Sequence, residues 1–166
     1  MFYIGGSAGG NTTTGSYNTF VGGAAGMNVG SGSYNTTLGR ATLSSSGLKD
    51  CDYNIAIGDS VLGGPDPGDH NIAMGTLALN AIDKSVTGDS QNNIAIGSRS
   101  STDLTRGYGN VAMGVDSGGN ITTGYNNTVI GHEAAWQPTG SNLTTGNNNI
   151  VIGYQAKTRF PSTIRS

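Results

Sequence analysis

The side chains able to do chemistry are few in this 166-residue chain: two histidines, ten acids, one cysteine, one tryptophan and seven tyrosines. A metal or acid–base centre needs several of the first three kinds held at a fixed spacing. His70 and His132 share no spacing with an acid, so each reads as a surface or axis-lining side chain. Asp59, Asp66 and Asp69 bracket Pro65 and Pro67 and could form a calcium-binding turn. They lack the G-G-x-G-x-D repeat of calcium-binding solenoids, so the reading is a solvated turn. Cys51 stands alone, which excludes an internal disulfide and any CxxC site. No G-x-S-x-G, Walker A or H-E-x-x-H string occurs. The acids are scattered, whereas polysaccharide hydrolysis needs a pair of them across one groove. No enzyme is expected, and no metal or cofactor is assigned.

The aromatic residues carry a better case for binding. Tyr17, Tyr34 and Tyr53 each stand one residue before an Asn, and His70 takes the same slot next. Stacked at strand spacing, these four would form a row that either seals one corner or offers sugars a stacking platform. Trp136, the only tryptophan, begins an insertion beside Gln137 and Pro138. Insertions of this kind go to loops, which often carry the binding contacts. The candidate ligand-binding residues are therefore Trp136, Gln137, Tyr17, Tyr34 and Tyr53.

What positions them is a repeat. The pentad Asn-x-x-aliphatic-Gly recurs from Asn18–Gly22 to Asn149–Gly153, and FYIG opens the chain as a ninth copy with Met1 in the Asn slot. Its closing glycines stand at 5, 22, 39, 58, 75, 97, 114, 131 and 153, giving spacings of 17, 17, 19, 17, 22, 17, 17 and 22. A small or β-branched residue follows each closing glycine by three, as in Ala8, Ala25, Thr42, Val61 and Ala78. Helical repeats need 33 residues or so, and propeller blades about 40. A 17-residue unit fits one coil of a β-solenoid, with two strands of about four or five residues and two turns. Glycine supplies its corners, and the Asn tolerates αL and stacks as an amide ladder.

Strand alternation places the first and third residues after each Asn, such as Ile94 and Ile96, on one side against the small residue opposite. The middle residue then points outward. It is Phe20, Ala56, Ala73, Ala95, Ala112, Val129 or Val151 in most coils, and Thr37 in one. Apolar residues on both faces mark a sheet buried twice, so this row is expected to be the interface of a homotrimer. None of the charged residues falls within a complete pentad, which fits that burial.

The N-x-A-I-G…A unit resembles the head repeat of trimeric autotransporter adhesins, the YadA-like family. It is similar also to the longer T-G-x-x-N-x-A-I-G-x-x-A arrays of phage-type tail fibres. The resemblance runs from Phe2 to about Ala156 and implies an all-β fold: a left-handed parallel β-roll of about nine coils, assembled as a homotrimer. Residues 1–156 are expected to form this repeat domain, and 157–166 an irregular tail or link within a longer fibre. By the same resemblance the chain is an attachment segment on a cell surface or virion, contacting a glycan or protein receptor.

Composition narrows the alternatives. A net charge of −2 and a pI near 5.4 give no nucleic-acid footprint. Apolar runs of about four or five residues cannot span a membrane. An ice-binding solenoid needs an unbroken Thr row, and Ser31, Pro67 and Arg106 interrupt the Thr before the repeat glycine. A purely structural fibre shaft is the main alternative, with a polysaccharide depolymerase behind it.

Overall fold

The computed structural model describes residues 1–44, 50–84, 90–136 and 143–157. Nine three-residue strands run in chain order: β1 (Phe2–Ile4), β2 (Thr19–Val21), β3 (Thr36–Leu38), β4 (Ile55–Ile57), β5 (Ile72–Met74), β6 (Ile94–Ile96), β7 (Val111–Met113), β8 (Thr128–Ile130) and β9 (Ile150–Ile152). They form one parallel sheet in the order β1 to β9, each strand pairing only with its sequence neighbours. The register follows the pentads: Ala73 faces Ala95, which faces Ala112 in the next coil. The fold is a β-solenoid. Among the described residues there is no helix, and none long and apolar enough to cross a membrane.

Each coil carries one strand where two were expected, because the return side is broken by left-handed residues. The residues two and four after every closing glycine from Gly5 to Gly131 have positive φ, as at Leu77 and Leu79 or Arg99 and Ser101. These kinks interrupt a regular ladder but keep bonds between coils. Leu43 N–H donates to the Val61 carbonyl at 2.9 Å, and Leu62 N–H to the Ala78 carbonyl at 3.1 Å. A third kink precedes the Asn. Tyr17, Tyr34, Tyr53 and His70 have φ near 57–60°, whereas the ladder asparagines themselves do not adopt positive φ. The expected αL conformation therefore belongs to the residue before the Asn. The closing glycines need their freedom: Gly114 has φ 132°, and a Cβ there would lie 2.6 Å from the Gly131 carbonyl oxygen.

The Asn row is an amide ladder, as the sequence suggests, with one side-chain rung missing: Asn71 reaches Asn54 Oδ1 through its backbone N–H, while its Nδ2 donates to the Pro67 and Ser90 carbonyls. The Asn93 Oδ1 accepts from the Asn110 backbone N–H at 3.0 Å and from its Nδ2 at 3.1 Å. Asn93 Nδ2 in turn donates to Asn71 Oδ1 at 3.1 Å and to the Gly107 carbonyl at 2.9 Å. The pattern repeats at Asn35, Asn54, Asn110 and Asn127, so each of these buried amides has its needs met along the axis.

The facing of the strands is the reverse of the sequence expectation. The middle residues Phe20, Ala56, Ala73, Ala95, Ala112, Val129 and Val151 are buried inside the single chain, with Thr37 beside them, so they are not an outer interface. The flanking aliphatics look out. The reason is volume. A coil this narrow admits a small middle side chain against large residues of the return side, Leu43, Leu62 and Leu79, or Leu104 and Ile121 farther round. Where the middle residue is large, the return side gives way: Gly26 sits against the Phe20 ring and Gly9 against Tyr3. The core also takes Val29, Ile82, Cys51 and Leu143 from stretches that read as polar connections. Cys51 is buried, and loss of solvent pushes its thiol up to about 12, so it is no nucleophile near neutrality.

The three spacings longer than 17 put extra residues in 40–53, 79–92 and 135–148, which are expected to bulge as loops. Of these stretches, residues 45–49, 85–89 and 137–142 lie outside the described residues, and Gln137 with them. The same holds for the expected tail beyond Lys157.

Candidate functional site

Every coil places a given repeat slot directly beside its copies, so side chains in one slot form rows along the solenoid. The αL kink before the Asn turns its side chain outward and makes the expected aromatic row. Ring centroids of Tyr17 and Tyr34 are 4.8 Å apart, those of Tyr34 and Tyr53 4.7 Å, and those of Tyr53 and His70 4.9 Å. Interplanar angles are 13°, 2° and 13°. The rings are thus face to face, and each inner ring spends both faces on its neighbours. Tyr34 and Tyr53 are still 47% and 49% exposed, but what they show to solvent is ring edge and hydroxyl. Of the three tyrosines Tyr17 is the most exposed, at 71%. Between its members the row offers a sugar no free ring face. The sequence reading missed a second stack, Tyr108 on Tyr125 at 4.9 Å, two residues before the ladder Asn. Their equal phase in consecutive coils was the available signal.

Trp136 enters a different constellation. It stands five residues after its closing glycine, as do Thr102 and Gly119 in the two preceding coils. Gly119 leaves a gap in that row. The pyrrole edge of Trp136 closes on it so tightly that a Cβ at Gly119 would meet Cδ1 at 2.8 Å. The result is a shallow pocket of about 190 Å³ lined by Arg99, Thr102, Asp103, Asp116, Gly119 and Trp136. One wall is fixed by a bidentate ion pair. Arg99 Nε donates to Asp116 Oδ1 and Nη2 to Oδ2, both at 2.6 Å. This pair holds the guanidinium firmly protonated and leaves Asp103 as the charge without a lining counterion. Partial removal from water pushes the Asp103 carboxyl above its ordinary range.

Asp116, His132 and Glu133 bring metal-type donor atoms within 4.8 Å of one another. Both Asp116 oxygens already accept from Arg99, and Glu133 Oε2 accepts from Gln155 Nε2 at 2.6 Å. The group is held by its own hydrogen bonds, and His132 stacks on Tyr154 at 5.5 Å. Asp59, Asp66 and Asp69, read from the sequence as a solvated turn rather than a calcium site, are likewise engaged between coils. Asp59 pairs with Arg40 at 2.7 Å, Asp69 with Lys84 at 3.2 Å, and Asp66 forms a parallel backbone bridge with Asp83.

The most extensive unusual surface is the outer face of the sheet. Ile55, Met74, Met113 and Ile130 are exposed, and Ile57, Ile72, Ile94, Ile96 and Val111 are half-buried. With Phe2, Ile4, Leu38, Ile150 and Ile152 also exposed, this is an aliphatic stripe along β1 to β9, with Thr19, Thr36 and Thr128 at its milder points. No protein-family model matches the chain, no curated protein does, and no solved structure does.

Proposed function

We propose that this chain is a segment of a trimeric attachment fibre, of the kind built from adhesin head repeats or tail-fibre repeats, and that it contacts a cell-surface glycan or protein. The observation that carries this reading is the outer aliphatic stripe. Isolated exposed aliphatics need no explanation, but a contiguous row running along the whole sheet does. A second copy of the chain fits it best, because only another solenoid has the same coil spacing of about 4.8 Å to interdigitate with it. Three copies around an axis close such an assembly and hide all three stripes. The interface then comprises Ile94, Ile96, Val111, Met113 and their counterparts, not the middle row. Pentads are committed to core, ladder and interface, which leaves the variable slots to recognise a ligand three times over. Weak contacts repeated in this way add up through effective concentration.

Labelled protein incubated with a panel of bacterial and animal cells tests attachment. Retention on at least one cell type, lowered about tenfold or more by Trp136→Ala with Tyr17→Ala, is the expected result. An assembled protein retained by no cell type, or retained equally after both substitutions, would favour a fibre shaft whose receptor contacts lie elsewhere.

A further inference from the structure

We propose that the notch beside Trp136 is a subsite for a single uncharged sugar ring, a reading that rests on the attachment function and names its ligand class. Three observations converge on it. The first is shape. Gly119 interrupts a row in which Thr102 and Trp136 stand on either side, so the depression is built by the repeat itself on a rigid scaffold. Its volume of about 190 Å³ is below the roughly 300 Å³ where drug-sized pockets begin, and suits one six-membered ring.

The second is chemistry. An indole beside hydroxyl and carboxylate groups offers an apolar surface for ring C–H groups and partners for ring hydroxyls. Thr102 supplies a hydroxyl, Asp103 two acceptor oxygens, and Arg99 the N–H groups not used on Asp116. The third is charge. Arg99 and Asp116 neutralise each other, so Asp103 leaves the lining with one net negative charge. Uronic and sialic acids are repelled by it, whereas a neutral pyranose can donate hydroxyls to it. The partial desolvation of Asp103 agrees with a group kept for binding at some expense to stability.

Trp136 is the chain's single tryptophan, so its emission reports on the notch directly. The intact protein is titrated with the methyl pyranosides of glucose, galactose, mannose and N-acetylglucosamine, and separately with glucuronic and N-acetylneuraminic acids. At least one neutral pyranoside should shift the emission saturably with a Kd of about 1–10 mM, and the acids should bind about fivefold more weakly or worse. Asp103→Asn should weaken the neutral sugar about tenfold while leaving the melting temperature unchanged or raised. Gly119→Thr should fill the notch and abolish the response with the circular dichroism unchanged; if that variant misfolds, Asp103→Asn alone decides. No saturable shift by about 100 mM of any neutral sugar, equal binding of the acids, or an unaltered response in Asp103→Asn would overturn the proposal. Cell retention with a silent Trp136 removes the subsite and leaves attachment standing. A saturable Trp136 response in a protein that no cell retains keeps the subsite and removes attachment.

Discussion

Ala95→Glu is expected to abolish cooperative folding, whereas Ile94→Glu, one residue away, leaves a folded chain. Ala95 has no exposed surface and sits between Ala73 and Ala112 inside the coil. A glutamate there has neither volume nor a partner, and an uncompensated buried charge costs several kcal/mol, about 4 or more. That is a large share of the roughly 5–15 kcal/mol that holds a domain of this size together. Ile94 is half-buried on the outer face, so its replacement reaches water without opening the core. Its price is self-assembly, not folding. Thermal melts followed by far-ultraviolet circular dichroism separate the cases. A folded Ala95→Glu variant beside an unfolded Ile94→Glu variant would restore the opposite facing of the strands.

The second large effect is expected for Asn93→Ala. Removing this amide strands the Asn110 N–H, half of the Asn110 Nδ2 capacity and the Gly107 carbonyl in a dry interior. Each unmet buried group costs about 1–3 kcal/mol, so the loss should reach about 3–5 kcal/mol. The side-chain rungs are unbroken from Asn71 to Asn149, so the damage passes beyond one coil: Asn110 needs Asn93 to hold the orientation from which it serves Asn127. Denaturant midpoints at constant slope measure the change. The control is Asn11→Ala, whose side chain bonds Asn28 on the exposed surface and should cost under about 1 kcal/mol. Equal effects at the two sites would mean that the ladder is not a structural spine.

The pentads made the nine strands, their parallel pairing and their register legible, because a fixed phase leaves each coil one partner position. The amide ladder was legible for the same reason. Alternation along Ile94–Ala95–Ile96 gives a period but not a sense, and there the reading failed. A signal for the sense lies across the coil. Tyr3 is matched by Gly9 and Phe20 by Gly26, while Thr37, Ala56 and Ala73 are matched by Leu43, Leu62 and Leu79. Volumes traded in this way place both residues in one interior. The missing second strand was not legible, since ordinary residues such as Leu77 and Arg99 occupy the left-handed kinks. The Tyr17 row was visible as a spacing, but that its rings use up their faces on one another depends on ring orientation. The Trp136 notch exists only because Gly119 lies between Thr102 and Trp136 in space; all three stand five residues after their closing glycines, but a shared slot does not show that Gly leaves a gap that Trp borders.

The central claim is that the outer stripe of the sheet joins copies of this chain, and the mass in solution measures it most directly. Multi-angle light scattering at micromolar concentration should give three times the 16.8 kDa chain mass for the unaltered protein. The doubly substituted Ile94→Glu, Ile96→Glu chain should elute as a folded species of 16.8 kDa. A cooperatively melting wild-type monomer, or a trimer indifferent to charges on that stripe, would contradict the account.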